Sequence, residues 1–550
     1  PTGYYYGTEY TNAEEIIAAK QDYAASHATH VTGIAAGAYK GNEYYGIAPD
    51  ADLVFVSYNV SDNSSSNTSI TDGIKYIYDY AESVGKPCVI NMSLGYHIGP
   101  HDGTSTFDRI CDQLQGEGRL LVGASGNEGD YNIHATKTLK KGDTNMKSLV
   151  EFVPNWYLYG SMTSTVDIWG DAEKQLSARV FVYDILNKKE VYSSESFSTA
   201  ASASKKISNP TGADGNIYIS TATNPYNKKG NITIDLNLSS FDNRNYYIGF
   251  AISGPEETTI NAWTDAYMSW LSNFGNSEFT NGDNNSTMGE IGGTGKRIIT
   301  VGAYTSCNYI DHKNSSMWNN SGQTLNQLVS FSSLGPTADG RMKPDITAPG
   351  SMLISSFNSS TSSNRNGEDY NYVVKQENIN TVNYYYGSME GTSMATPVVT
   401  GILATWLQAN PKLTPEQVRE ILSNTATTDS YTGNIAGVGN NRWGYGKINA
   451  YDGLVYCLNH SGIEQVGTPT QPMVYPNPAT DICYFLLQND DKNINVSIYT
   501  LNGTEIYSRY MGNINAGEQN QLDLSDLAAG IYFIHITGDK TNMTTKLTIK

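Results

Sequence analysis

The hydrophobic pattern changes period twice along the 550 residues, and each change marks a change of architecture. Up to about residue 134, short apolar runs alternate with stretches of helical period. Residues 12–20 carry a helical pattern, with Thr11 placed to cap it. Small and apolar residues after His27 and His30 predict a helix packed closely on a sheet. Residues 46–56 predict a turn leading into a buried strand, 61–69 a Ser/Asn-rich loop, and 70–83 a helix. Strands are expected at 87–95 and 120–124, with a helix over 107–115 between them. This alternation predicts a parallel α/β sheet with chemistry at the C-terminal ends of its strands.

From about 135 to 287 the alternation stops. Short apolar segments at 177–183, 216–219, 231–236 and 246–252 lie between turn-rich loops, the signature of an antiparallel sandwich, jelly-roll-like in pattern. The α/β pattern resumes with Arg297-Ile298-Ile299-Thr300-Val301-Gly302-Ala303. It includes a helix at 413–422 with Thr414 as cap and Pro415 at its first position. The division that follows is 1–134 and 288–457 for one α/β core, 135–287 for an all-β insertion, 458–472 for a linker and 473–550 for a small C-terminal β-sandwich. Strands of that last module are expected at 482–487, 496–499, 531–536 and 544–549.

Composition narrows the classes of function. Hydrophobic residues make up 39% and charged residues 16%, which suits a folded chain, and the 40 Tyr favour β-rich, solvent-facing structure. A net charge of −19, with no basic patch, argues against nucleic acid as a partner and is read first as solubility. The five cysteines, at 88, 111, 307, 457 and 483, are scattered without a Cys-x-x-Cys pair. They indicate neither a zinc site nor a disulfide framework and read as small buried hydrophobes. No apolar run approaches the ~20 residues that span a membrane. The opening Pro1-Thr2-Gly3-Tyr4-Tyr5-Tyr6 has no signal-peptide character and reads like the middle of a protein.

The candidate chemistry centres on Gly391-Thr392-Ser393-Met394-Ala395-Thr396-Pro397, followed by an apolar run through Ala404. A serine at a helix N-terminus exposes its hydroxyl among free backbone N–H groups, and Pro397 suits a first helical turn. The seven-residue string resembles the nucleophile motif of the subtilisin-like serine proteases, the subtilases. Ser26-His27-Ala28-Thr29-His30-Val31-Thr32-Gly33 could on spacing alone be half a metal site, but no third ligand stands near it. It resembles the subtilase histidine motif, with Ala28 where the family usually has Gly and Thr32 where it usually has Ala. That match implies His27 as general base and His30 as a supporting residue. Ser93-Leu94-Gly95 resembles the family segment that lines the cleft and pairs with the substrate backbone. Gly126-Asn127 is by pattern a turn. By resemblance, Asn127 helps to form the oxyanion hole. Residues 46–49, 330–336, 343–350 and 444–450 also resemble subtilase segments.

The resemblance implies a subtilisin-like three-layer core and a secreted serine endopeptidase. Ser393 would be its nucleophile, His27 its base and Asn127 its oxyanion donor, acting on a protein or peptide substrate. Family order is Asp, then His, then Ser. Asp22 is the only Asp before His27, and no apolar strand precedes it, so it is not read as the triad carboxylate. Residues 6–11 resemble sequence that normally lies between the Asp and His motifs. The first strand and the triad Asp are therefore expected upstream of Pro1, and the chain's own N-terminal segment or propeptide stands as a candidate partner. The resemblance implies no required cofactor; calcium is common in the family, but the sequence assembles no ligand set for it, and a structural metal stays unknown. The insertion resembles, in pattern, that of the clostridial spore-germination subtilases; carbohydrate binding and a wall shaping the cleft both stand as readings. Val474-Tyr475-Pro476-Asn477-Pro478-Ala479 and Gly530-Ile531-Tyr532 resemble the type IX secretion sorting domain of Bacteroidetes, which implies export to the cell surface or beyond. The alternative for that module is an adhesive or stabilising sandwich. Two other functions stand beside the protease: a peptide-binding pseudoprotease, or a surface adhesin acting through the β modules.

Overall fold

The computed structural model describes the chain apart from residues 1–2, 20–25, 58–65, 154–161, 266–267, 359–367, 461–472, 488, 501–503 and 517. It forms two compact units, Pro1–Asn459 and His460–Lys550.

At the centre of the first unit is a parallel sheet of four strands, in the order Cys88–Met92, Arg119–Ala124, Ile299–Tyr304 and Ile346–Pro349. Its central strands are apolar on both faces, as a sheet covered on both sides requires. Alternation along one strand sends Leu120 and Val122 into one core and Leu121 into the other. On the first face pack the helices His27–Ala36, Thr392–Ala409 and Pro415–Thr425, through Val31, Ile34, Val399, Trp406 and Leu422. On the second pack Ser66–Ser83 and Thr106–Leu114, through Ile74, Tyr78, Phe107 and Cys111. Helix, sheet and helix make three layers. A three-stranded antiparallel sheet, Leu353–Phe357, Val382–Met389 and Val373–Ile379, leads into Thr392–Ala409.

Three expectations need correction. The helix placed at 70–83 begins at Ser66, inside the segment read as loop. Residues 53–56 form no strand: Leu53 and Phe55 are 48% and 68% exposed. The segment has no ladder partner among the described residues, and an apolar run without one is only extended chain. Val56 instead packs on the helix Ser66–Ser83, where a Cβ on Gly73 would come within 2.9 Å of its Cγ1. The helix Ala13–Ala19 is capped by Asn12, not Thr11, since Asn12 Oδ1 accepts from Glu15 N at 2.9 Å. Thr414, by contrast, completes a reciprocal capping box with Gln417.

Between Arg119–Ala124 and Ile299–Tyr304 the chain builds two antiparallel sheets, from His134–Thr138 to Ser269–Ser272. Inward residues alternate along the long strands: Ile217 and Ile219 on one, Ile232, Ile234 and Leu236 on its neighbour. Among the described residues the second unit is built of strands, in sheets of three and four, over a core that includes Phe485, Val496, Ile498, Ile534 and Leu547. Among the described residues no helix is long and apolar enough to cross a membrane. All five cysteines are free.

Asp108 and Glu290 are both buried beside Thr294, whose single hydroxyl proton faces Asp108 Oδ2 at 3.0 Å and Glu290 Oε2 at 3.3 Å. Burial pushes the Asp108 carboxyl up to about 7 and Glu290 well above its ordinary range. A carboxyl that holds its proton more tightly when folded stabilises most fully in acid, below its unfolded pKa of ~4, and loses that contribution as pH rises to about 7. Asp108→Asn should therefore gain thermal stability relative to the wild type as pH rises from about 4 to about 7. Melting curves across that range check this; a pH-independent difference would contradict it.

Candidate functional site

Ser393 occupies the first turn of the helix Thr392–Ala409 and is half-buried. The strand Val382–Met389 delivers the chain to Gly391, whose φ of +146° favours glycine and whose N–H donates to Gly350 O at 2.8 Å. Backbone N–H groups in a first turn have no acceptor within the helix. That of Thr392 donates to Asn127 Oδ1 at 2.9 Å, and the Thr392 hydroxyl lies 3.0 Å from the same atom. A backbone N–H can only donate, so the atom facing it must be the amide oxygen. The Asn127 NH2 is therefore left for another acceptor. Among the described residues neither that NH2 nor the Ser393 N–H has a recorded hydrogen-bond partner.

Pro397 is not in the first turn as expected; it is the sixth residue of the helix. Lacking an N–H, it cannot bond the carbonyl four residues back, which is that of Ser393. The Ser93 hydroxyl donates to that carbonyl instead, at 2.7 Å. Ser93 thus ties the end of the strand Cys88–Met92 to the Ser393 backbone. Beyond it Leu94 is half-buried and Gly95 exposed, with nothing within 4 Å of where a Cβ on Gly95 would stand.

His27 is the first residue of the helix His27–Ala36, which packs against the serine's helix. The preceding Ser26 does not cap this helix; its hydroxyl accepts from Asn358 N at 3.2 Å. His30 is buried, with Nε2 at 3.0 Å from Leu353 O and 3.1 Å from Gly387 O, so Nε2 carries the proton. Burial lowers its pKa to about 4 and keeps it neutral: a support, not a base. The His27 ring is exposed by surface area, yet nearby protein excludes enough water to lower its pKa below the ordinary value. That leaves the imidazole unprotonated near neutrality, able to accept a proton.

Asn127 and the Thr392–Ser393 turn meet directly, and the His27 helix lies against the serine's helix. Among the described residues no hydrogen bond joins His27 to Ser393 and no carboxylate pairs with His27; Asp22 lies outside those residues. Sequence reading missed Thr392, which orients the Asn127 amide. It also missed His97, whose Nε2 lies 3.2 Å from Glu128 Oε2 beside the same turn. Neither pairing leaves a local signal, because the partners are remote in sequence. No three His, Cys, Asp or Glu side chains converge as a metal site among the described residues.

A family model described as the subtilase family matches residues 6–446, and one described as a secretion system C-terminal sorting domain matches residues 473–550. The serine protease AprX of Bacillus subtilis is 37% identical over 158 residues, 29% of this chain and 30% of that protein. A subtilisin of Bacillus sp. strain TA39 is 36% identical over 106 residues, 19% and 24% of the two chains. The matched stretches thus span less than a third of either relative. Among solved structures, the CspB protease of Clostridium perfringens aligns with a TM-score of 0.58 and 20% identity, covering 79% of this chain and 81% of that one. That likeness is one of fold.

The seat of the His27 helix is testable. A Cβ on Gly33 would come 2.3 Å from Ser355 Oγ and 3.2 Å from Ser356 N, on the strand beneath. Gly33→Ala should destabilise the unit by about 1–3 kcal/mol, as overpacking does. An unchanged denaturation midpoint would show that the helix can lift without cost.

Proposed function

The chain belongs to the subtilase family, and on that premise we propose that it is a serine endopeptidase hydrolysing peptide bonds through an acyl-enzyme. The sorting domain at residues 473–550 marks it for type IX secretion to the cell surface or beyond. What carries the reading is the commitment of Asn127 Oδ1 to Thr392, which leaves the Asn127 NH2 and the Ser393 N–H as two uncommitted donors beside one hydroxyl.

Ser393 Oγ attacks the scissile carbonyl carbon as its proton passes to His27, and the carbonyl oxygen takes the negative charge. The two N–H donors stabilise that oxyanion, an interaction stronger in the transition state than in the substrate. Collapse breaks the C–N bond, and His27 returns the proton to the leaving amine. Water then repeats the sequence on the acyl-enzyme, with His27 again the base. Leu94 and Gly95 offer an open backbone edge for an extended substrate, while Ser93 holds the Ser393 turn. The carboxylate that would orient His27 is not among the described residues. No step requires a cofactor. None of the chemistry is routed through calcium.

Two outcomes test this. Expressed from its native gene, the protein should be labelled by a fluorophosphonate on Ser393, and both Ser393→Ala and His27→Ala should abolish the label. A folded, processed protein that takes no label would turn the assignment towards a peptide-binding pseudoprotease. Asn127→Ala should lower kcat by about 10²–10³, the loss known for the corresponding donor of subtilisin itself, with KM little changed. Steady-state kinetics on a peptide substrate would show it.

A further inference from the structure

We propose that His97 is a positioning residue for the oxyanion donor: through Glu128 it fixes the Gly126–Asn127–Glu128 turn. The inference rests on the endopeptidase reading for its catalytic consequence, and on geometry alone for the positioning itself.

The side chains of His97 and Glu128 are 6% and 5% exposed, with Nε2 and Oε2 3.2 Å apart. Glu128 curls back over its own turn: a Cβ on Gly126 would meet Glu128 Oε2 at 2.5 Å. Ser333 closes the ring from the far side. Its hydroxyl donates to Glu128 Oε2 at 3.1 Å and accepts from Glu128 N at 3.0 Å, and its N–H donates to Gly126 O at 3.1 Å. Asn127 is therefore held on one flank through Thr392 and on the other through Glu128. Rotation of the Glu128 side chain would loosen the turn that aims the Asn127 NH2. Buried acceptors of this kind hold a geometry only while their donors stay in place.

His97 stands two residues beyond Gly95, so the side chain that steadies the oxyanion turn belongs to the loop leaving the substrate edge. The all-β insertion anchors that loop. Asp167 Oδ2 accepts from Gly99 N at 2.8 Å, and Lys229 pairs with the buried Asp102 at 2.6 Å. His101, stacked on Trp263 with ring centroids 4.1 Å apart, faces the His97 carbonyl with Nε2 at 3.0 Å. The route from insertion to oxyanion donor is one of packed and hydrogen-bonded groups, and its coupling is measurable as non-additivity.

A double-mutant cycle separates this role from a general structural one. His97→Ala should lower kcat by about tenfold or more with KM changed less than about twofold, and should add almost nothing in an Asn127→Ala background. His97→Gln, which keeps a donor at similar reach, should recover part of the loss. Equal losses in both backgrounds would overturn the proposal. Hydrogen exchange read by mass spectrometry on the full chain tests the positioning without reference to activity. His97→Ala should speed exchange in peptides covering 125–130 and leave those of the sandwich strands unchanged; unchanged exchange at 125–130 would also overturn the proposal. A wild type that neither cleaves nor labels, yet loosens at 125–130 on His97→Ala, would remove the protease reading and keep His97's hold on the turn.

Discussion

Two hydrogen bonds between Thr392 and Asn127 Oδ1, joining residues 265 apart, govern what the rest of the site can do. Without them the Asn127 amide could turn either end towards Ser393, and an oxygen facing a developing oxyanion would repel it. With them, the only polar end left over is a donor. The pairing exists because the first turn of a helix always has N–H groups in need of acceptors. One of those groups is met by the Asn127 amide oxygen, which leaves the N–H of Ser393, the next residue, uncommitted.

A similar economy explains Pro397. Proline inside a helix ordinarily costs a hydrogen bond. Here the carbonyl it orphans is that of Ser393, and Ser93 answers it from the end of a neighbouring strand. The helix that carries the serine is thereby tied to the strand that continues into Leu94 and the exposed Gly95. One missing N–H thus becomes a contact between the Ser393 turn and the end of a neighbouring strand.

The inserted sandwich has its own core of alternating Ile, Val and Leu side chains. Its contacts with the α/β part concentrate on the loop after Gly95, where Asp167, Lys229 and Trp263 meet Gly99, Asp102 and His101. Those contacts are polar, aromatic and buried. They fix the loop that carries His97 against the inserted sheets.

The sequence by itself determined the periods: helix against strand, the switch to an antiparallel pattern and back, and the cap at Thr414. It also nominated Ser393, His27 and Asn127, because each sits in a short motif that resembles one of the subtilase family. Local pattern misled at residues 53–56, where apolar character predicts a buried strand but no ladder partner stands alongside. It misled again at Asn12 and Pro397, where the helix start shifts by a residue or several. What only the tertiary structure decided is which polar atom answers which: Asn127 Oδ1 to Thr392, Ser93 to Ser393 and His97 to Glu128. Such pairings are absent from any window of the sequence, because they are fixed when the packing of helices on the sheet brings together groups that must each find a partner out of water.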